Sequence, residues 1–184
     1  EKHLLATPSL ALEQVSNENV YMLGIAKKSV VHAVNSFLEN DLKKVDKVID
    51  LENITDNLQS EITQYIVELS QRDLLEKESQ SVPVLIHNVN DLERIADHSQ
   101  NLAELTRRKI EEKMSFSDFA INEISLMWDE IRMMFQEAEE ALKNGNIAVA
   151  EKMLKREERI NQLQDEFKQT HIDRLNTGKC KMNS

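Results

Sequence analysis

Apolar residues recur along the chain in alternating steps of four and three, the spacing that places side chains on one face of an α-helix. This period predicts five helices, over residues 13–38, 42–71, 74–114, 118–144 and 147–175. The third has the longest regular stripe, which comprises Leu85, Val89, Leu92, Ala96, Ser99, Ala103, Thr106 and Ile110. The sequence therefore predicts an all-α protein, built as an elongated antiparallel helix bundle.

The chain also contains a weak internal repeat at an offset of 105 residues. Five pairs of matching residues carry it: Leu42 and Ile147, Ile49 and Leu154, Glu52 and Glu157, Leu58 and Leu163, and Gln59 and Gln164. Such self-similarity predicts duplicated three-helix units, here residues 13–114 and 115–184. The counterpart of the third helix falls beyond Ser184. We therefore expect the second unit to lack its third helix in this chain, and another element, such as a second copy of the protein, to cover its seam.

Residues 1–12 form a separate segment. Thr7-Pro8-Ser9 interrupts the helical period and predicts a non-helical linker from a preceding region. The chain begins at Glu1 rather than at a methionine, so we expect it to be a fragment of a longer protein.

The composition narrows the classes of partner. The formal charge of −10 argues against nucleic acid or an anionic membrane surface as the main partner. The single cysteine, Cys180, cannot form an internal disulfide, which favours a reducing compartment. No apolar run approaches the roughly 20 residues that a membrane-spanning helix needs.

Two pairs of carboxylates lie one residue past the apolar stripes of the second and third helices. Glu52 and Asp56 form one pair, Glu93 and Asp97 the other, and each pair spans one helical turn. Equivalent flanking positions of an antiparallel helix pair lie on the same side, so we expect all four to converge. We call this set the acidic flank. Two carboxylates about 5 Å apart repel by about 3 kcal/mol at an effective dielectric constant near 20, which favours protonation or a bound cation.

The start of the third helix affects this convergence. Asp73 followed by Glu76 has the form of a capping box, whereas Ser81 with Pro83 in the first turn would start the helix later. Only the earlier start leaves the two acidic pairs equally far from the turn, and so level with each other. We therefore favour Asp73 as the cap and place Pro83 inside the helix.

A metal site and a solvent-exposed acidic surface both remain open as interpretations of the acidic flank. An exposed surface is usually accompanied by Lys or Arg one turn away, but only Asp97 has such a neighbour, Arg94. Carboxylate oxygens suit Mg²⁺, Ca²⁺, Mn²⁺ or iron, and Zn²⁺ is not distinguished from these. His98 follows Asp97 but is rotated off the flank.

The stretch DLERIADHSQN, which starts at Asp91, resembles the signature helix of the PhoU family, where an acidic residue and an aspartate lie within an L-E-R-I-G-D-H pattern. VIDLENITDNL (residues 48–58) resembles the second helix of that family. Ala96 stands where the family usually has glycine. The resemblance covers the five predicted helices in order, and it implies two three-helix bundles whose acidic motifs bind metal ions. It assigns the ligand role first to Glu93 and Asp97 and second to Glu52 and Asp56.

The leader LLATPSLALEQ (residues 4–14) is similar to the junction after the transmembrane part of bacterial sodium/phosphate cotransporter relatives that carry a PhoU-like C-terminal domain. This similarity implies a regulatory domain at the cytoplasmic face of the cell membrane. Its partners would be its own transmembrane transporter domain or a phosphate transporter, further copies of itself in an oligomer, and inorganic phosphate.

Three other functions remain open. A free-standing PhoU-type regulator would dock on a transporter or a sensor kinase, and a helical adaptor would bind no ligand. A carboxylate-bridged metal oxidase is the enzymatic alternative, but the sequence has no Glu-x-x-His pair of the ferritin type. No phosphate-binding loop or nucleophile elbow is present either, so we expect no enzymatic activity.

Overall fold

The computed structural model describes residues 2–178, and the side chains of residues 4–178; Cys180 lies outside this range. A short 3₁₀ helix, Lys2–Ala6, precedes five α-helices. These are α1 (Pro8–Glu39), α2 (Leu42–Ser70), α3 (Glu76–Glu111), α4 (Asp118–Asn144) and α5 (Ile147–Asn176). The prediction of an all-α fold is confirmed. None of these helices is long and apolar enough to cross a membrane.

Two predicted helix starts are wrong. Residues 8–12 were predicted to belong to a linker, but α1 begins at Pro8 and only Thr7 separates it from the 3₁₀ helix. A proline costs little there because the first helical residues have no intrahelical partner for their N–H groups. The capping box of Asp73 and Glu76 does not form, since α3 begins at Glu76. Instead, the backbone N–H of Leu75 donates to the Glu78 carboxylate at 2.8 Å.

The turns between α1 and α2 and between α4 and α5 have the same geometry at the repeat offset of 105 residues. Asn40 and Gly145 end their helices in the left-handed conformation, with φ of 55° and 59°. Asp41 and Asn146 then cap the next helix, each accepting a hydrogen bond from the backbone N–H two residues later, at 2.9 and 3.1 Å. The repeat in the sequence therefore corresponds to a repeat in backbone structure.

The chain divides into two compact units, Glu1–Thr106 (unit 1) and Arg107–Ser184 (unit 2). In unit 1, Ala33 of α1, Val45 and Val48 of α2, and Ala103 of α3 form one buried cluster, so the three helices share a core. Of the stripe predicted on α3, six residues are buried: Val89, Leu92, Ala96, Ser99, Ala103 and Thr106.

Three buried hydroxyl groups on α2 and α3 are satisfied within their own helices. The hydroxyls of Thr55, Ser99 and Thr106 each donate to the carbonyl four residues earlier in the same helix, at 2.8 to 2.9 Å. Such bonds allow small polar side chains to be buried without an unpaired donor. The α2–α3 interface can therefore contain hydroxyls and alanines in place of larger apolar groups.

Unit 2 has a thinner core. In the stripe predicted on α4, only Phe135 is buried; Ile124, Trp128, Ile131, Ala138 and Leu142 are half-buried. On α5, Val149 and Leu163 are buried. Two paired helices cannot enclose an apolar face as completely as the three helices of unit 1 do.

We expect Leu92→Asp to lower the free energy of unfolding by about 3–5 kcal/mol, because it places a carboxylate in the core of unit 1. Leu92 is 6% exposed, whereas Leu105 on the same helix is 59% exposed. Leu105→Asp is therefore the matched control, with an expected cost below about 1 kcal/mol. Urea unfolding followed by circular dichroism measures both; similar costs for the two variants would contradict the described packing of α3.

Candidate functional site

Because α2 and α3 are antiparallel, each carboxylate of the acidic flank on α2 lies opposite one on α3. The side-chain amide of Gln59 donates to Oδ1 of Asn90 at 3.2 Å, which fixes these two positions opposite each other. The helices run in opposite directions, so the residue one turn before Gln59 lies opposite the residue one turn after Asn90. Asp56 is thus level with Glu93, and the next turn brings Glu52 level with Asp97.

The electrostatics of Glu93 show that the two helices bring their carboxylates together. Burial is the largest cause that raises the pKa of Glu93 above its ordinary value, followed by the charges of Asp56 and Asp97. Arg94 and His98 lower the pKa of Glu93 by smaller amounts. The charge of Asp56 reaches Glu93 from the other helix, as the register requires.

Glu52 is in a similar environment. Burial raises the pKa of Glu52, and Asp56 raises it further through its charge and through a side-chain hydrogen bond. Asp97 and Glu93 contribute from α3. The charges that raise the pKa of Glu52 therefore come from both helices, as they do for Glu93.

The carboxylate oxygens of the acidic flank are the type of ligand that a hard cation prefers, but they are not close enough together to coordinate one. Glu52 and Glu93 are half-buried, while Asp56 and Asp97 are exposed at the rim. Within residues 2–178, no group of three or more His, Cys, Asp or Glu side chains stands close enough to hold a metal ion. Coordination at about 2.0–2.6 Å would require the carboxylates to rotate inwards, which exposed side chains on adjacent turns can do.

Unit 2 contains charged contacts that the sequence analysis missed. Arg156 of α5 donates to both carboxylate oxygens of Glu137 at 2.8 Å and to Glu130 at 2.5 Å. Arg174 makes a bidentate contact with Glu123 at 2.6 and 2.7 Å. Hydrogen bonds from the arginines lower the pKa of Glu123 and of Glu137. The sequence did contain a signal for these contacts. Glu123, Glu130 and Glu137 are seven residues apart, which places them on one flank of α4.

Comparison with known proteins gives one family. The family model described as PhoU domain matches residues 20–106 and 124–183 of the chain. The chain is 22% identical over 174 residues to the phosphate-specific transport system accessory protein PhoU homolog of Clostridium acetobutylicum, which covers 94% of this chain and 78% of that protein. It is 24% identical over 158 residues to homolog 1 of the same name from Thermotoga maritima, covering 85% of this chain and 67% of the relative. No solved structure gives a significant match.

The raised pKa values of Glu52 and Glu93 predict a pH-dependent stability. A carboxyl group with a raised pKa in the folded state stabilises the fold below its ordinary pKa, and this contribution is lost as pH rises through the folded-state value. In metal-free buffer, we expect Glu52→Gln plus Glu93→Gln to raise the free energy of unfolding at pH 7, with a difference from wild type that shrinks towards pH 4.

Urea unfolding at several pH values measures this difference. Glu61→Gln plus Glu104→Gln is the matched control, since it removes two exposed carboxylates from the same two helices. An equal gain in both variants would mean that general charge repulsion, and not the acidic flank, is responsible.

Proposed function

Because the chain belongs to the PhoU domain family, we propose that it regulates the transport of inorganic phosphate as an accessory module and not as an enzyme. The observation that carries this proposal is the family match in both units, over residues 20–106 and 124–183. The names of the two curated relatives support it, since each is a phosphate-specific transport system accessory protein homolog. A regulator of this kind acts by binding a transporter in one of two states more tightly than in the other.

The acidic flank is the proposed cation site of this module. Glu93 and Asp97 supply oxygens from α3, and Glu52 and Asp56 supply them from α2. The raised pKa values of Glu52 and Glu93 support this role, because carboxylates that are partly buried and also repel one another gain most from a bound positive charge. When bound, a divalent cation supplies coordination positions for further oxygen ligands, among which phosphate oxygens are suitable.

Attachment to a transporter is the finer part of the proposal. The similarity of residues 4–14 to the junction of sodium/phosphate cotransporter relatives favours a domain joined to its own transmembrane region, at the cytoplasmic face of the membrane. In the structure, residues 8–14 of this segment are helical and continuous with the rest of α1. A free-standing accessory regulator is the second candidate, and the names of the curated relatives favour it.

Deletion of the gene tests the regulatory role. We expect phosphate uptake in the deletion strain to lose its dependence on external phosphate, and the intact gene to restore that dependence. Radiolabelled phosphate uptake at low and high external phosphate is the measurement. Unchanged regulation in the deletion strain would contradict the proposal. Coding sequence upstream of Glu1 that specifies repeated transmembrane segments would favour the cotransporter domain over the free-standing regulator.

Elemental analysis of purified protein tests the cation site. We expect Glu93→Ala plus Asp97→Ala to abolish uptake of divalent metal while leaving the helical circular dichroism unchanged. Asp91→Ala plus Glu104→Ala removes two exposed carboxylates from the same helix and serves as the control. Equal metal content in wild type and the first variant would reject the site. Retention of iron after aerobic purification, together with consumption of dioxygen, would favour a metal oxidase instead.

A further inference from the structure

Unit 2 has an open groove of about 360 Å³ that is lined only by charged residues: Glu130, Glu137, Lys152, Lys155, Arg156 and Arg159. We call it the basic groove. Its four basic residues are spaced i, i+3, i+4 and i+7 on α5, so they share one helical face over two turns, or roughly 10 Å. Four cations face two carboxylates here, although the whole chain has a formal charge of −10.

The two carboxylates of the basic groove are engaged by Arg156. Its Nε and Nη2 donate to Glu137, and its Nη1 donates to Glu130. The side chain of Arg156 is 16% exposed, so these contacts hold it in place between the helices. Arg156 therefore acts as a positioning residue, which neutralises the acidic wall of the groove and leaves the other three basic groups to face a ligand.

Those three basic groups form few ion pairs of their own, although the charge of Lys152 helps to lower the pKa of Glu137 after the larger effect of Arg156. Neither Lys152 nor Lys155 forms a salt bridge with any residue in the described part of the chain. Arg159 has a long contact of 3.8 Å with Glu166, and both side chains are about half-exposed. Exposed pairs of this kind contribute little free energy, so an incoming anion can displace them.

The three-helix fold does not impose this cluster of cations. At the repeat offset of 105 residues, the counterparts of the four basic residues on α2 are Lys47, Asp50, Leu51 and Ile54. Unit 1 thus has one cation where unit 2 has four. The basic groove is a property of unit 2 that needs a separate explanation.

We propose that the basic groove binds an anion with two or more linked or adjacent phosphoryl groups, contacted by Lys152, Lys155 and Arg159. Lysine ammonium groups bind phosphate oxygens as point charges, and the planar guanidinium of Arg159 can bind two oxygens at once. A single phosphate is too small to contact cations spread over two helical turns, whereas a short phosphate chain spans them. Headgroup phosphates that lie side by side in a membrane present the same chemistry.

Calorimetric titration of the full chain with pyrophosphate and with tripolyphosphate tests this proposal. EDTA in the buffer prevents a cation in the acidic flank from contributing to binding. We expect wild type to bind tripolyphosphate more tightly than pyrophosphate, with an affinity that falls as salt concentration rises. Lys152→Gln plus Lys155→Gln plus Arg159→Gln should weaken binding by about tenfold or more.

Arg132→Gln plus Lys143→Gln plus Lys168→Gln is the matched control, because it removes three exposed cations from unit 2 outside the basic groove. We expect it to retain the affinity of wild type to within about twofold. Equal losses in the two triple variants, binding of a glutamate oligopeptide as tightly as tripolyphosphate, or absence of binding by wild type to every phosphoryl probe would each overturn the proposal. Circular dichroism and urea unfolding establish that both variants fold.

Vesicles of phosphatidylcholine with and without phosphatidylglycerol identify the source of the phosphoryl groups. Binding of the vesicles that contain phosphatidylglycerol, but of neither free phosphate probe, assigns the basic groove to a membrane headgroup. Binding of the free probes, with displacement of the protein from vesicles by tripolyphosphate, assigns it to a soluble ligand. Either assignment also requires that the variant with Lys152→Gln, Lys155→Gln and Arg159→Gln loses this binding. All three substitutions lie in unit 2. Failure of this proposal would therefore not bear on the acidic flank in unit 1 or on the proposed regulatory function.

Discussion

The proposed site depends on four carboxylates that the packing of α2 against α3 forces to share one flank. Like charges on neighbouring helices oppose the association that brings them together. The apolar stripe beside them compensates for this repulsion, since each fully buried Leu or Val contributes about 1.5–3 kcal/mol. The buried residues of unit 1, which include Val89 and Leu92 of α3, offset the repulsion between the carboxylates.

The two units share the geometry of one helical hairpin but differ in the charges that meet between their helices. The left-handed residues Asn40 and Gly145 and the caps that follow them give the same hairpin twice. In unit 1, the carboxylates of the acidic flank lie on α2 and α3, and they repel one another. In unit 2, glutamates of α4 meet arginines of α5, which attract. Unit 2 therefore gains from charge pairing some of the stability that it lacks in buried apolar surface, although exposed pairs add little.

The sequence predicted those features that depend on local residues. Three of the five helices begin where predicted, because Asp41, Ser117 and Asn146 cap them with their own side chains. The predicted start of α1 was wrong because Pro8 is compatible with the first turn of a helix. The predicted start of α3 was wrong because Leu75 has no capping side chain, and its backbone N–H is bound instead by the Glu78 carboxylate. A pattern of residue types does not distinguish these cases.

The candidate site was predictable in register but not in detail. Heptad position and antiparallel direction were sufficient to place Asp56 opposite Glu93, and after burial the charge of Asp56 is the next cause that raises the pKa of Glu93. Rotamers determine how far apart the oxygens lie, and the sequence carries no information on them. The contacts of Arg156 were missed for a similar reason, since they depend on how far α5 slides along α4.

The small side chains at the centre of the α3 stripe have a consequence for the ion selectivity of the proposed cation site. Ala96, Ser99 and Ala103 allow the backbone of α3 to approach its neighbours closely, because none extends beyond one or two heavy atoms past Cα. A methyl group added at Ala96 would push α3 away from its neighbours without touching any carboxylate, and at the proposed cation site the wider spacing would favour a larger ion such as Ca²⁺ over Mg²⁺.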